Sequence, residues 1–254
     1  MGRLSNKTAV VTGAARGIGL AVCERFLEED ARVILTDIDP DAGAREATRL
    51  GCEVMQLDVR SETDWSALLA ARPAFDILVN NAGVTGFEAG GADPHDPEHA
   101  SLDAWRAVHA TNLDGVFLGC RTAIAAMRAA GAGAIVNISS RSGMVGVPRA
   151  AAYASSKAAV RNHTKSVALY CAEEGLDIRC NSVHPAAVMT PMWEPMLPPG
   201  DGRDAAIADF VKDTPLRRFG EAREVAETVV FLASDEARYM TGAELTIDGG
   251  LLAG

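Results

Sequence analysis

Short, largely apolar runs alternate with longer segments of helical period, and the alternation continues along the whole chain. A strand without a polar face has no side to turn toward water. It belongs in a sheet covered on both faces, which is how parallel sheets are built. Residues 7–12, 32–36, 53–57, 75–80, 134–139, 177–183 and 243–247 read as strands. Helical segments over 17–29, 41–50, 62–72, 101–128, 151–174 and 221–234 connect them. Helical crossovers between parallel strands predict an α/β fold, a doubly wound seven-stranded parallel sheet flanked by helices. With no repeat, low-complexity tract or long linker, the 254 residues are expected to form one domain.

Two stretches break the rhythm. Residues 83–100 are rich in Gly, Pro and Asp, and residues 186–215 carry Pro191, Pro195, Pro198, Pro199 and Pro215. Both follow strands. In open α/β sheets, ligands bind beyond the carboxyl ends of the strands, and long loops there tend to be functional.

Composition excludes several classes. The net charge of −10, with no run of Lys and Arg, argues against a nucleic-acid partner. Cys23, Cys52, Cys120, Cys171 and Cys180 have no C-x-x-C spacing and no adjoining His pair, so no metal site is expected. They read as small buried hydrophobes in a reducing compartment. No apolar run reaches the ~20 residues of a membrane span, and the polar start shows no signal peptide. A cytoplasmic protein with no membrane partner is expected.

After the first strand comes Thr12-Gly13-Ala14-Ala15-Arg16-Gly17-Ile18-Gly19, which opens a helix. Glycines let the backbone turn tightly and approach a pyrophosphate. The helix N-terminus adds free N–H groups and a partial positive charge. Asp37 ends the second strand about 20 residues on. A carboxylate there accepts hydrogen bonds from both adenine-ribose hydroxyls and repels a 2′-phosphate, which favours NAD over NADP. Arg16 is the counter-indication, since a base in this turn suits a 2′-phosphate.

Tyr153 and Lys157 stand four apart in a helical segment, so both side chains share one face. An ammonium beside a phenol favours the phenolate, as does the positive ring of an oxidised nicotinamide. Such a pair can give and take a proton in alcohol–ketone interconversion. Upstream, a strand ends in Ser139-Ser140. A hydroxyl there could meet a substrate oxygen, and the residues alone do not choose between the two serines. No G-x-S-x-G surrounds them, which disfavours a hydrolase.

Taken together the motifs resemble the classical short-chain dehydrogenase/reductase family along essentially the whole chain. The matching elements are the turn from Thr12 to Gly19, Asp58-Val59, Asn80-Asn81-Ala82-Gly83, Asn112, Ser140 with Tyr153 thirteen residues on, Lys157, and Asp248-Gly249-Gly250. The resemblance implies a Rossmann-type dinucleotide-binding and catalytic domain over 1–254, with a substrate loop at about 186–215. It implies Tyr153 as general acid/base and Ser140 as the group that orients the substrate oxygen. Lys157 would hold the nicotinamide ribose and depress the Tyr153 pKa. Asn112 would interrupt its helix and hold a water that relays protons. The implied cofactor lining is Gly13, Arg16, Gly17, Ile18 and Gly19, then Asp37 and Ile38, Asp58 and Val59, and Asn81, Ala82 and Gly83. Pro185, Val188 and Thr190 complete it, with Tyr153 and Lys157. One departure stands out. The family often has Pro-Gly after the sixth strand, and here Pro185 precedes Ala186 and Ala187.

Substrate choice is expected from Ser140, Ser142, Met144, Val145, Val147, Arg149, Ala150, Tyr153, Met189, Trp193 and Met196. Apolar walls with one polar point suit a hydrophobic secondary alcohol or ketone. The chain is similar to bacterial members acting on hydroxysteroids and on cyclic or aryl alcohols. Family members commonly pair the helices over 101–128 and 151–174, so a homotetramer is expected. The rival readings are an NADPH-dependent ketoreductase of the β-ketoacyl thioester type, and a catalytically silent dinucleotide-binding sensor.

Overall fold

A computed structural model describes residues 2–88 and 94–253. Part of the irregular stretch 83–100, together with Met1 and Gly254, therefore lies outside the described residues. β1 (Thr8–Thr12) turns into α1 (Gly17–Glu28), followed by β2 (Arg32–Asp37), α2 (Pro40–Leu50), β3 (Glu53–Gln56), α3 (Glu62–Ala71) and β4 (Ile77–Asn80). Then come α4 (Leu102–His109), α5 (Gly115–Ala130), β5 (Ala132–Ile138), α6 (Ala151–Glu173) and β6 (Asp177–Pro185). β7 (Val188–Met189), α7 (Arg203–Phe210), β8 (Gly220–Glu221), α8 (Ala222–Ala233) and β9 (Glu244–Ile247) complete the described chain.

Seven strands form one sheet in the order β3-β2-β1-β4-β5-β6-β9, and every neighbouring pair is parallel. The chain starts in the middle, winds to one edge, returns to β4 and winds to the other. That reversal opens a crevice between the carboxyl ends of β1 and β4. The largely apolar strands bury both faces. Ala9, Val11, Ile77 and Val79 pack with Val22 and Phe26 of α1 and Val225 and Val229 of α8. Val10 and Leu78 point the other way, toward Trp65 of α3, Ala123 and Met127 of α5 and Val160 of α6. The two-residue period of a strand requires this division.

Helix ends follow local chemistry. Asp39, Ser61 and Ser101 accept bonds from Ala42, Asp64 and Ala104 N–H at 3.0–3.1 Å, each capping its helix. Glu221 and Glu224 form a capping box on α8. α1 differs: Arg16 stands at its N-cap and supplies no side-chain bond.

The helix expected over 101–128, which the family resemblance has Asn112 interrupt, carries a π turn at Ala110–Asp114, where the Asn112 side chain bonds Val84 and Ser156. Two expectations are corrected. The strand expected from 75 starts at Ile77. There the Asp76 carboxylate accepts from Thr8 N–H at 2.7 Å and serves the strand entry instead. The stretch 186–215 is partly regular, containing α7 and β7, which pairs with β8 beyond it. A strand of two residues carries no readable periodicity.

Candidate active site

The turn after β1 is built by contacts only glycine permits. Gly13 has φ +61°, and a Cβ on it would stand 2.7 Å from Ala82 Cα. A Cβ on Gly19 would stand 2.5 Å from Asn81 Nδ2. The Asn81 amide donates to Thr12 O and Gly13 O, both at 2.9 Å. Thr12 Oγ1 accepts from the N–H groups of Asn81 and Ala82 at 3.0 and 3.1 Å. The ends of β1 and β4 are thus tied together, and Asn81 and Ala82 serve as structural parts of the turn. Thr12 does this work unpredicted. Its signal was its place between an apolar strand and the glycines.

Asp37 ends β2 buried, facing the same turn. One carboxylate oxygen accepts from Ala15 N–H at 2.9 Å and the other from Asp39 N–H at 3.0 Å. Ile38 is half exposed beside it and Arg16 is exposed above the turn, while Ile18 packs partly into the core. Asp58 is bound by Arg60, whose guanidinium donates at 2.7–3.1 Å and holds the carboxyl below its ordinary value. Val59 is buried against Gly115, and its carbonyl accepts from Trp65 Nε1 at 2.9 Å.

On the far side of the turn, Pro185 ends β6. Ala186 N–H donates to Ile247 O at 3.0 Å, and Ala187 O accepts from Gly220 N–H at 2.9 Å. Neither alanine adopts a positive φ, so the loop follows β9 and β8 without the conformation that Pro-Gly provides. Val188 is buried, and the Thr190 side chain lies 3.5 Å from where a Cβ on Gly17 would stand. Thr190 and the glycine turn therefore share one wall of the crevice.

Asn112 is fully buried in its π turn. Its oxygen accepts from Val84 N–H at 2.8 Å, and its amide donates to Val84 O at 2.9 Å and Ser156 Oγ at 3.0 Å. Position 83 brings the neighbours close: a Cβ there would stand 3.2 Å from both Asn112 Oδ1 and Lys157 Nζ. The Lys157 ammonium is buried, donates to Ile138 O at 3.0 Å, and lies 5.8 Å from the centre of the Tyr153 ring. Burial lowers its pKa to about 8.

The two serines separate cleanly. Ser139 Oγ donates to Lys157 O at 2.8 Å, which spends its only proton. Ser140 Oγ accepts from Ser142 N–H at 3.1 Å and keeps its proton to offer. Tyr153 is half-buried. Burial pushes its phenol above the ordinary value, and the Ser140 hydroxyl pulls it back. The sequence expectation of a phenol depressed by Lys157 is therefore reversed in the protein by itself. Lys157 spends a hydrogen bond on Ile138 O, and desolvation of the phenol dominates.

Ser142, whose N–H bonds Ser140 Oγ, is half-buried, as are Met144, Val147 and Met189. Trp193 packs edge-on against Phe210 and Phe219, each with a centroid distance of 5.0 Å. Trp193 therefore anchors α7 to the loop before β8. Among the described residues, no group of three His, Cys, Asp or Glu side chains is arranged for a metal, and no helix is long and apolar enough to cross a membrane.

A family model described as enoyl-(acyl carrier protein) reductase matches residues 13–252. The NADP-dependent (R)-specific alcohol dehydrogenase of Lentilactobacillus kefiri is 39% identical over 260 residues, covering 99% of this chain and 98% of the relative. A 3-beta-hydroxysteroid dehydrogenase of Comamonas testosteroni is 39% identical over 259 residues, 98% of this chain and 97% of the relative. A cyclopentanol dehydrogenase of the same organism is 39% identical over 262 residues, the full length of both. With the parallel sheet, the glycine turn and the Ser140–Tyr153–Lys157 grouping in place, the chain belongs to the short-chain dehydrogenase/reductase family of oxidoreductases.

Proposed function

We propose that this protein transfers hydride between NAD(H) and a hydrophobic secondary alcohol or ketone, of the hydroxysteroid, cyclic or aryl class. The observation that carries the reading is Ser140, Tyr153 and Lys157 gathered at the carboxyl end of the sheet beside a glycine turn faced by Asp37. The turn fits a dinucleotide: α1 begins there without a side-chain cap, leaving its N-terminal dipole to a pyrophosphate. Asp37 and Ile38 would hold the adenosine, Asp58 and Val59 the adenine, and Asn81, Ala82 and Gly83 the ribose. Pro185, Val188 and Thr190 would line the nicotinamide side. Bound there, the nicotinamide supplies the hydride acceptor or donor.

The chain's own residues handle the proton. Ser140 Oγ donates to the substrate oxygen and fixes it. Tyr153 gives its proton to that oxygen in ketone reduction and takes it back in alcohol oxidation. Lys157, charged below about pH 8, would hold the nicotinamide ribose and, together with the positive ring of the oxidised nicotinamide, offset the burial that raises the Tyr153 phenol. Asn112 holds the β4 loop against α6 beside Lys157, in position for a proton path. Met144, Val147, Met189 and Trp193, with Ser142, would form the substrate wall.

Residues 1–254 are read as one catalytic domain with a substrate loop at about 186–215. Phe117 on α5 and Leu169 and Tyr170 on α6 are exposed large apolar side chains, which supports a homotetramer through these helices. Mass by light scattering tests it, and a monomer refutes it. The five unpaired cysteines suit a reducing, cytoplasmic setting.

One observation favours a second reading of the cofactor. Arg16 is exposed at the turn, and the relative from Lentilactobacillus is named as NADP-dependent. The deciding experiment offers NAD and NADP with cyclopentanol, a 3β-hydroxysteroid and a small sugar, with Tyr153→Phe as control. Reduction of NAD by the first two is expected, with near-complete loss in Tyr153→Phe and cofactor binding retained. Activity only with sugars, or full activity of the variant, refutes the reading.

A further inference from the structure

We propose that His184 is a positioning residue for Ser140, holding the serine's carbonyl with a neutral imidazole protonated on Nδ1. The inference rests on the role given to Ser140 above. His184 lies on β6 one residue before Pro185 and is fully buried. Its Nδ1 lies 3.3 Å from Ser140 O, at the long end of the hydrogen-bond range. A carbonyl oxygen only accepts, so Nδ1 carries the proton. On the other side Nε2 lies 2.8 Å from Ser182 Oγ. A neutral ring protonated on Nδ1 can only accept there, so the Ser182 hydroxyl donates to it. The hydroxyl's one proton then does not go to Ala243 O, 3.3 Å away, which accepts from Ser182 N–H at 2.9 Å instead.

Ser140 O is thus held by two donors. Gly143 N–H, at the first turn beyond it, reaches the same oxygen at 2.9 Å. The peptide after Ser140 is fixed from the chain ahead and from the strand beneath. Its hydroxyl is fixed by Ser142 N–H at 3.1 Å. Without His184, a carbonyl beneath the reacting centre loses one of its two partners, and the serine can tilt. The reacting geometry of such a group tolerates little displacement.

The surroundings favour the neutral ring. Burial lowers the His184 pKa. Lys157 and Arg161 on α6 oppose a further positive charge, and Glu244 on β9 favours one. Ser182 and His184 are two apart on the strand and therefore share a face.

The test has two readouts. In enzyme labelled with 15N-histidine, the His184 ring is identified as the signal missing from His184→Asn. A neutral ring protonated on Nδ1 at pH 7 is expected. Protonation on Nε2 alone, or an imidazolium, overturns the proposal.

The second readout is NAD reduction with cyclopentanol and a 3β-hydroxysteroid in wild type, Ser140→Ala, His184→Leu and the double variant. His184→Leu should lower kcat about tenfold, the effect of one buried hydrogen bond on the reacting geometry, with little change in KM. In the Ser140→Ala background the same substitution should cost almost nothing. Equal losses in both backgrounds, or wild-type kcat in His184→Leu, overturn the proposal. Should His184→Leu fail to fold, His184→Asn and His184→Gln replace it. Asn offers an N–H near the Nδ1 position and should restore most of kcat, whereas Gln offers one near Nε2 and should not; the reverse order overturns the proposal. If Ser140→Ala itself leaves kcat intact, the assignment of Ser140 fails, and that outcome is separate from the ring's tautomer.

Discussion

The Asp37 carboxylate accepts a hydrogen bond from Ala15 N–H at 2.9 Å, so the residue placed to choose the cofactor also holds the turn that cradles it. These roles separate in Asp37→Asn. The amide keeps one acceptor oxygen and loses the charge. Preference for NAD over NADP is expected to fall about tenfold, since repulsion of a 2′-phosphate is gone. Unfolding free energy should fall by about 1 kcal/mol, because one of two backbone N–H groups loses its partner. Cofactor kinetics and urea unfolding measure both, and an unaltered cofactor ratio would remove Asp37 from selection.

Ser139 and Ser140 should respond to alanine in opposite ways. Ser140→Ala removes the free hydroxyl, so kcat should drop about 100-fold with stability nearly intact. Ser139→Ala removes a buried bond to Lys157 O, so stability should drop by about 1 kcal/mol, and activity far less than for Ser140. Steady-state rates and thermal unfolding of the two variants decide the matter; a larger kcat loss in Ser139→Ala would reverse the assignment.

Lys157 is expected to cost the fold stability. Its pKa is about 8 in the folded protein, against an ordinary value of 10.5. Below pH 8 a buried charge is present and disfavoured. Between about 8 and 10.5 the unfolded chain binds the extra proton, so this group's contribution makes stability rise with pH across that window. Lys157→Met should therefore be inactive yet about 1–2 kcal/mol more stable at pH 7, after the lost bond to Ile138 O is allowed for. Urea midpoints at pH 7 and pH 9.5 test this, and a less stable variant at pH 7 would sink it.

A charge cluster joins the chain start to α1 and α8. Arg25 donates to Glu227 at 2.7 and 3.0 Å and to Glu29 at 2.9 Å, and Arg3 reaches Glu29 at 2.7 Å. The Arg3 bonds lead in lowering Glu29 to about 2, from an ordinary 4.5. A depressed carboxylate stabilises above its ordinary pKa, and the gain is lost as pH falls from about 4.5 to 2. Arg3→Met should flatten the acid limb of the stability curve by about 1 kcal/mol, screening having been allowed for. Urea titrations from pH 6 to pH 2.5 would show it, and an acid limb identical to wild type would exclude the mechanism.

The sheet was legible because its strands hide both faces. Val10 and Val11 belong to opposite cores, as neighbouring residues of a strand must in a sheet covered on both faces. Tyr153 and Lys157 were legible as a spacing, and Asp37 as a strand end. Other features depended on partners distant in sequence. The interruption at Asn112 follows from the family resemblance, but its bonds to Val84 and Ser156 have no local signature. α7 went unread because it lies in a proline-rich loop and has no buried residue. The Tyr153 phenol shifts upward, a direction no spacing announces, because desolvation depends on what surrounds the ring. His184 lies one residue past the strand expected over 177–183, and its role shows only through Ser140 and Ser182, which flank its two nitrogens.

The π turn at Ala110–Asp114 also limits how this chain can change. A π turn accommodates one residue beyond the regular helical count. Deleting it would restore an ordinary helix and swing α4 by about 100° around the axis of α5. Val108 would leave the interior, and the face that buries Val116, Ala123 and Met127 would no longer match the helix before it. Single-residue losses here are therefore barred by register, whatever happens to Asn112, and descendants of this sequence should vary in residue type across the turn while keeping its length.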